Sequence, residues 1–407
     1  MNMMSGSELN RIIPLVIEKC VFGGEGLAYW GSRAVFVPGV LPGEEVLVKI
    51  KEEKKDFLRG KVVEVKTASP DRIVPVCSLN GTCPGCVYGH CSYAAENRMK
   101  EQQFREFAVR AGFAEDAIQP GLAPEPENGY RNKLTLHVNK AGAEVMVGYA
   151  KGDGQTILQI TGCPLVNPAI NELLGKQLAD PGFRHTLHHR MSLTYRHTER
   201  NGVLFYRNNL PKGTSWIREN TLCGELSTPA DGFFQVNPGG VNALLQEMNG
   251  ILAEFKPEVF LDLYCGVGLF SAAAALAGVP EICGADIAAD SVAAAKYNLK
   301  QRGREEADLQ TGDAAKLLPD MLKTCAGKKI LAVLDPPRGG IAGRMRQALA
   351  ALPEGSVLCY ISCHPATWAR DAAVLMSHGF APRSARMVNQ FARTAHFEVF
   401  SVFTREK

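Results

Sequence analysis

Between Val259 and Ser362 short apolar runs alternate with helical patterns, and this alternation limits the possible folds more than any other feature of the chain. VFLDLY runs through CGVG into LFSAAAALAG, EICGAD into SVAAAKYNLKQRG, and DLQTGD, KILAVLD and SVLCYIS complete the series. A strand that is followed by a helix re-enters its sheet in the same direction, so the pattern specifies a doubly wound, largely parallel α/β sheet. Ligands of such sheets bind at the carboxyl ends of the strands. The whole chain has 407 residues, too many for one ordinary core, so further domains precede this one.

The hydrophobic fraction of 46% and charged fraction of 21% are those of a soluble globular protein. No apolar run reaches membrane-spanning length, and MNMMSGSELNR lacks a basic-then-apolar leader, so the cytoplasm is the expected compartment and no membrane contact is expected. There, the 12 cysteines read as thiols, metal ligands or catalytic groups rather than disulfides. A net charge of +3 leaves any nucleic-acid contact to local basic patches.

PLVIEKC, EGLAYW, RAVFVPG, EEVLVKI and LRGKVVEV are β-rich runs divided by turn residues, the spacing of a small OB-like barrel. Lys49, Lys51, Lys54, Lys55, Arg59 and Lys61, with Tyr29, Trp30, Phe36 and Phe57, would suit RNA; Glu52, Glu53 and Asp56 offset part of that charge. GEGLAYWGSRAVFVPGVLPGEEV resembles a TRAM domain, an RNA-binding barrel, and the resemblance favours RNA.

CSLNGTCPGC brings Cys77, Cys83 and Cys86 into one Gly- and Pro-containing loop, and Cys163 follows in TGCPLVNP. Four thiolates suit zinc or an iron-sulfur cluster. A single CxxC with a cysteine six positions earlier favours a 4Fe-4S cluster over zinc, with Cys91 as a substitute ligand and His90 as a zinc ligand the competing arrangements. YAAENRMKEQQFREFAVRAGF reads as an amphipathic helix, and YRNKLTLHVNKAG with AEVMVGYA as a hairpin.

In the C-terminal part, Gly266 and Gly268 permit a close strand-to-helix turn, and Asp286 ends the next strand, where it can accept bonds from ribose hydroxyls. Ser271 stands where a dinucleotide fingerprint continues to its third glycine, and DLYCGVG is instead similar to the S-adenosylmethionine methyltransferases. Asp313 in TGDA would then lie near adenine. LDPPRGG fixes a turn at a strand's carboxyl end, as in enzymes that methylate amines. Those need no cysteine one strand later, yet Cys363 ends VLCYIS, whereas Cys265 and Cys359 read as core. FARTAHFEVF supplies two candidate bases, Glu398 and His396.

SCHPATWARD, FARTAHFE, DPPRGG, FFQVNP, DLYCGVG, the four cysteines and the barrel together resemble the TRAM-containing RNA uridine-5-methyltransferases, chiefly those acting on 23S ribosomal RNA. The resemblance implies a C-terminal Rossmann-like class I methyltransferase domain over residues 230–407, a central α+β iron-sulfur domain over 69–229 and a TRAM barrel over 1–68. It also implies Cys363 as nucleophile and Glu398 as base. Gln235, Tyr264, Asp286, Asp313 and Asp335 would line the S-adenosylmethionine site, and Cys77, Cys83, Cys86 and Cys163 would hold a 4Fe-4S cluster. No obligate protein partner is implied. Ala392 stands where the family has proline, and Asp286 replaces a commoner glutamate, one methylene longer. A tRNA methyltransferase of the same architecture, a non-catalytic RNA-binding assembly factor and an amine methyltransferase using DPPR are the alternatives.

Overall fold

A computed structural model describes residues 7–142, 144–150, 156–210 and 216–406. It divides into two compact units, one formed by the described residues of Met1–Arg105 with Phe391–His396, the other by those of Glu106–Gln390 with Phe397–Lys407. No helix among the described residues is long and apolar enough to cross a membrane.

The N-terminal unit carries a six-stranded sheet in the order Ile12–Val16, Glu45–Glu53, Phe57–Thr67, Arg33–Pro38, Glu25–Trp30, Lys19–Cys20. Six strands appear where five runs are expected because the first run divides into Ile12–Val16 and Lys19–Cys20. Alternation along Ile12–Val16 sends Ile13 and Leu15 into a core with Val35, Val37, Val46, Val48 and Ile50. Three register shifts between Glu45–Glu53 and Phe57–Thr67 introduce the bends a small barrel needs. Much of the barrel's positive charge is paired, Arg33 with Glu53 and Arg59 with Glu25 at 2.7 Å each, and Lys54 with Glu52 at 3.2 Å. The Arg59 guanidinium also lies over the rings of Phe36 and Phe57, at 5.6 and 5.8 Å.

The second unit contains a five-stranded antiparallel sheet, the hairpin Trp216–Thr221 and Gly224–Pro229, and a seven-stranded sheet. Lys133–Ala141 and Glu144–Ala150 pair as the expected hairpin. In the large sheet the strands are, in chain order, Val259–Leu263, Glu281–Asp286, Asp308–Thr311, Ile330–Leu334, Val357–Ser362, Phe380–Val388 and Glu398–Arg405; their spatial order is 3-2-1-4-5-7-6. The first five are parallel and the seventh runs antiparallel to both neighbours. Val259–Leu263, Ile330–Leu334 and Val357–Ser362 are buried at every residue, as strands covered on both faces must be. The order reverses after the first strand, which opens a crevice between the carboxyl ends of the first and fourth strands.

Candidate active site

Cys363 leaves the buried strand Val357–Ser362 at the point where a helix begins. Pro365 takes the first helical position, and His364 caps the helix by accepting from the Thr367 amide at 3.2 Å through Nδ1. Cys363 is held in the short turn between strand and helix, half-buried at the carboxyl end of the sheet.

Across from it runs the last strand. Ile361 pairs with Phe400 and Ser362 with Val399; Cys363 and Glu398 are the next residues of the two segments, and the charge of Glu398 acts on the Cys363 sulfur. Glu398 is buried, and its Oε2 accepts no hydrogen bond among the described residues. Its carboxyl is pushed well above the usual range by burial first and then by the charge of Asp335, with Arg338 opposing. His396 belongs to the other unit, where its ring meets those of Phe22 and Phe391, at 6.4 Å each.

The DPPRGG turn supplies the next two groups. Asp335 follows the strand Ile330–Leu334 and is pushed up to about 7 by burial and by the charge of Asp262, against a hydrogen bond from Gln235. The Cys363 thiol is pushed up to about 11, by burial and then by Glu398; the Arg338 guanidinium opposes this through its charge and a hydrogen bond to the sulfur. The free protein therefore holds a protonated thiol at neutral pH. Iodoacetamide is expected to alkylate Cys363 slowly at neutral pH and faster as pH rises towards that value. Arg338→Ala removes the cation that stabilises the thiolate and should slow alkylation at fixed pH by roughly tenfold for each unit the thiol rises. Peptide mapping of the alkylated cysteines checks this, and an unchanged rate would mean that the guanidinium does not act on the sulfur.

A chain of amides fixes Asp335. Gln235 Nε2 donates to Asp335 Oδ2 at 3.4 Å, Gln390 Nε2 donates to Gln235 Oε1 at 3.1 Å, and Asn237 Nδ2 donates to the Gln390 carbonyl at 2.9 Å. Gln390 packs so closely on Gly240 that a Cβ there would fall 1.3 Å from its Oε1, so position 240 admits only glycine without repacking. The DPPRGG turn is held from the other side by buried Asp371, whose Oδ2 accepts the Ile341 amide at 2.7 Å and the Tyr360 hydroxyl at 3.0 Å. Gln390, Arg338 and Asp371 are absent from the sequence-based set. The signal for the last was the acidic end of SCHPATWARD, and Arg338 lay unread inside DPPRGG.

On the other side of the crevice, Tyr264, Gly266 and Gly268 take positive φ angles of 87°, 50° and 80°, folding the turn tightly before the helix Leu269–Leu276. A Cβ on Gly266 would meet nothing within 4 Å, so this side of the turn is open to a ligand, whereas one on Gly268 would press Ala295 at 3.2 Å. Asp286 braces the turn: Oδ2 accepts the Gly266 amide at 2.9 Å and Oδ1 the Ala288 amide at 2.8 Å. Beneath it, buried Asp262 accepts the Ser271 amide at 3.0 Å and its hydroxyl at 2.5 Å. Asp313 caps the helix Ala314–Thr324 by accepting the Ala315 amide at 3.0 Å. The Tyr264 hydroxyl is pushed up by burial and then by the charges of Asp313, Asp371 and Asp286, so these groups share one field.

Among the described residues no group of three or more His, Cys, Asp or Glu side chains is arranged to hold a metal ion. Local backbone bonds set the Cys77–Cys86 loop, with the Asn80 amide donating to the Cys77 carbonyl at 3.1 Å and the Cys83 amide to the Leu79 carbonyl at 2.8 Å. Cys163 belongs to the other unit, its backbone clasped by Asn171 through bonds of 3.0 and 2.9 Å. Spacing along the chain reports neither constraint. Cys91 is fully buried, its thiol donating to the Tyr88 carbonyl at 3.2 Å, and Cys265 and Cys359 are buried as expected.

Comparison with known proteins agrees with this architecture. Residues 7–63 match the TRAM domain model and residues 227–406 the model for tRNA (Uracil-5-)-methyltransferase. An uncharacterized RNA methyltransferase of Thermosynechococcus vestitus is 28% identical over 98% of this chain and 100% of its own length. A second, of Halalkalibacterium halodurans, is 26% identical over 97% and 96%. The crystal structure of Pyrococcus abyssi tRNA (uracil-54, C5)-methyltransferase in complex with S-adenosyl-L-homocysteine shares the fold, with a TM-score of 0.73 at 20% identity, covering 96% of this chain and 100% of that one. The chain thus carries a TRAM domain ahead of a domain that matches the tRNA (Uracil-5-)-methyltransferase model at the residues that form the crevice, and its relatives over nearly the whole length are named RNA methyltransferases.

Proposed function

We propose that this protein methylates carbon 5 of a uridine in 23S ribosomal RNA, with Cys363 as nucleophile, Glu398 as base and S-adenosylmethionine as methyl donor. The observation that carries the reading is a half-buried thiol and a buried carboxyl, each adjoining the last paired residues, Ser362 and Val399, of two neighbouring strands, with Asp335 and Arg338 acting on both.

The donor set fits S-adenosylmethionine. Gly266 leaves its side of the turn open, Asp286 and Asp313 offer carboxylate oxygens for ribose and adenine, and Tyr264, Gln235 and Asp335 would line the rest. Bound there, the cofactor supplies an electrophilic sulfonium methyl group to the carbon nucleophile that Cys363 generates. Both oxygens of Asp286 already accept backbone amides, so a ribose contact uses their remaining lone pairs.

Carbon 5 of uracil is too weak a nucleophile to act unaided. Cys363 loses its thiol proton and its sulfur bonds to carbon 6, while the electrons of the 5,6 double bond move into the ring as an enolate that makes carbon 5 nucleophilic. Once carbon 5 carries the methyl group, Glu398 takes the proton from it. The carbon–sulfur bond then breaks, the double bond re-forms and the thiolate is released. A carboxylate whose proton affinity is raised by burial is suited to that proton transfer.

Mapping 5-methyluridine in ribosomal and transfer RNA from cells with and without the protein tests the substrate: loss of one 23S position supports the reading, and loss of a tRNA position instead reassigns it. No label transferred from S-adenosylmethionine to either RNA would make the protein an assembly factor. A 4Fe-4S cluster on Cys77, Cys83, Cys86 and Cys163 rests on the sequence pattern alone, and no step above depends on it. Iron and sulfide are expected in protein purified without oxygen; one zinc and no iron would favour the zinc alternative.

A further inference from the structure

From Pro181 to Thr198 the chain contains no acidic residue but three arginines and four of its nine histidines. Arg184, His185, His188, His189 and Arg190 in this stretch are exposed. The fold gathers further cations to them within the same unit. Lys140 Nζ donates to the carbonyls of His185 and Leu187, at 3.2 and 3.0 Å. Arg207 donates to Thr186 Oγ1 at 2.8 Å while its guanidinium lies 5.0 Å from the Phe183 ring centroid.

This face is built rather than loose. The Arg190 amide donates to the Val138 carbonyl at 2.9 Å, and the Met191 carbonyl accepts the Val138 amide at 2.9 Å, so the end of the loop is stitched to the sheet. Arg190 itself takes a φ of 65°, a left-handed conformation that an arginine adopts at a cost. His189 Nδ1 lies 3.2 Å from Asn139 Oδ1. Nearby Lys176, Arg196 and Arg200 each face a carboxylate, but among the described residues none pairs with Arg184, Arg190 or Arg207.

We infer that the arginine- and histidine-rich face at residues 184–190, with Lys140 and Arg207, is a docking surface for the RNA substrate, engaging phosphates through its guanidinium groups and unpaired bases through its imidazoles. Guanidinium groups match phosphate oxygens in pairs, and planar imidazoles stack on unpaired bases. With a net charge of only +3 and several barrel cations already ion-paired, the cations of Arg184, Arg190 and Arg207 stand unpaired by any carboxylate among the described residues. The inference rests on the RNA-methyltransferase reading above.

The test uses the full chain and a short uridine-rich single-stranded RNA, measured by fluorescence anisotropy across a salt series. Arg184→Glu combined with Arg190→Glu should weaken binding at low salt by about tenfold or more and reduce the slope of log affinity against log salt by roughly 1.4, from about 0.7 per lost phosphate contact. S-adenosylmethionine binding and melting temperature should stay at wild-type values, because both side chains are exposed. Lys323→Glu, which reverses the charge of an exposed lysine already paired with Asp320, should leave RNA affinity unchanged. Wild-type affinity and slope in the double variant would overturn the docking surface alone, and an equal loss of binding to polyglutamate would reassign it to an acidic protein. If the double variant loses RNA affinity while the wild-type protein transfers no methyl group to any RNA, the surface stands and the methyltransferase reading fails.

Discussion

Cys363→Ala is expected to lower methyl transfer to RNA by at least roughly 10³-fold, on the scale seen when an enzyme loses its nucleophile, while S-adenosylmethionine binding stays within a few-fold. The sulfur lies at the end of the fifth strand, whereas the proposed ribose and adenine contacts come from the second and third. Its removal therefore takes away chemistry and leaves the cofactor's own contacts in place. A thiol pushed up to about 11 in the free protein also means that the rate should respond to whatever draws its proton away once RNA is bound. RNA carrying 5-fluorouridine provides the positive counterpart: fluorine cannot leave as a proton, so wild-type protein should accumulate a methylated adduct that survives denaturant. Substantial turnover by the alanine variant, or no adduct with the fluorinated RNA, would falsify the covalent route.

Glu398→Gln is expected to halt the reaction one step later. The methyl group reaches carbon 5, but its proton has no acceptor, so the sulfur cannot be expelled and a denaturant-resistant, methyl-labelled complex builds up. Glutamine keeps the side chain's shape in a buried position while removing its basicity. His396→Ala should still turn over, at a reduced rate, because Glu398 adjoins the last residue paired with the Cys363 strand and acts on its sulfur, whereas His396 belongs to the other unit. Trapped adduct in the histidine variant with normal release by the glutamine variant would transfer the role of base to His396.

The alternation of apolar runs and helical patterns was enough to specify the doubly wound sheet, because the two periods, two for strands and 3.6 for helices, are local properties of the chain. The motif DLYCGVG likewise announced a tight turn, and Tyr264, Gly266 and Gly268 all take positive φ there. Asp286 was legible as an acidic residue at a strand end. Its two bonds to the amides of Gly266 and Ala288 were not, since they depend on how the turn closes over it.

What the sequence by itself determined is therefore the kind of fold and the chemical groups available: a thiol after the fifth strand, carboxyls at several strand ends, glycines at the turn. Only the tertiary structure decided which of these groups meet. The antiparallel pairing of Ser362 with Val399 brings the ends that carry Cys363 and Glu398 side by side. Gln390 reaches Gln235 across 155 positions of chain, and Asn237 reaches Gln390 across 153. The segment Phe391–His396 is built into the N-terminal unit, where the Arg393 amide donates to buried Glu96 at 2.8 Å. The cysteines at 77, 83 and 86, close along the chain, are held in a loop whose own turns set their directions. Periodicity and turn chemistry act over a few residues, whereas the contacts that make a site are set by strand order, register and burial, which carry no local signature in the chain.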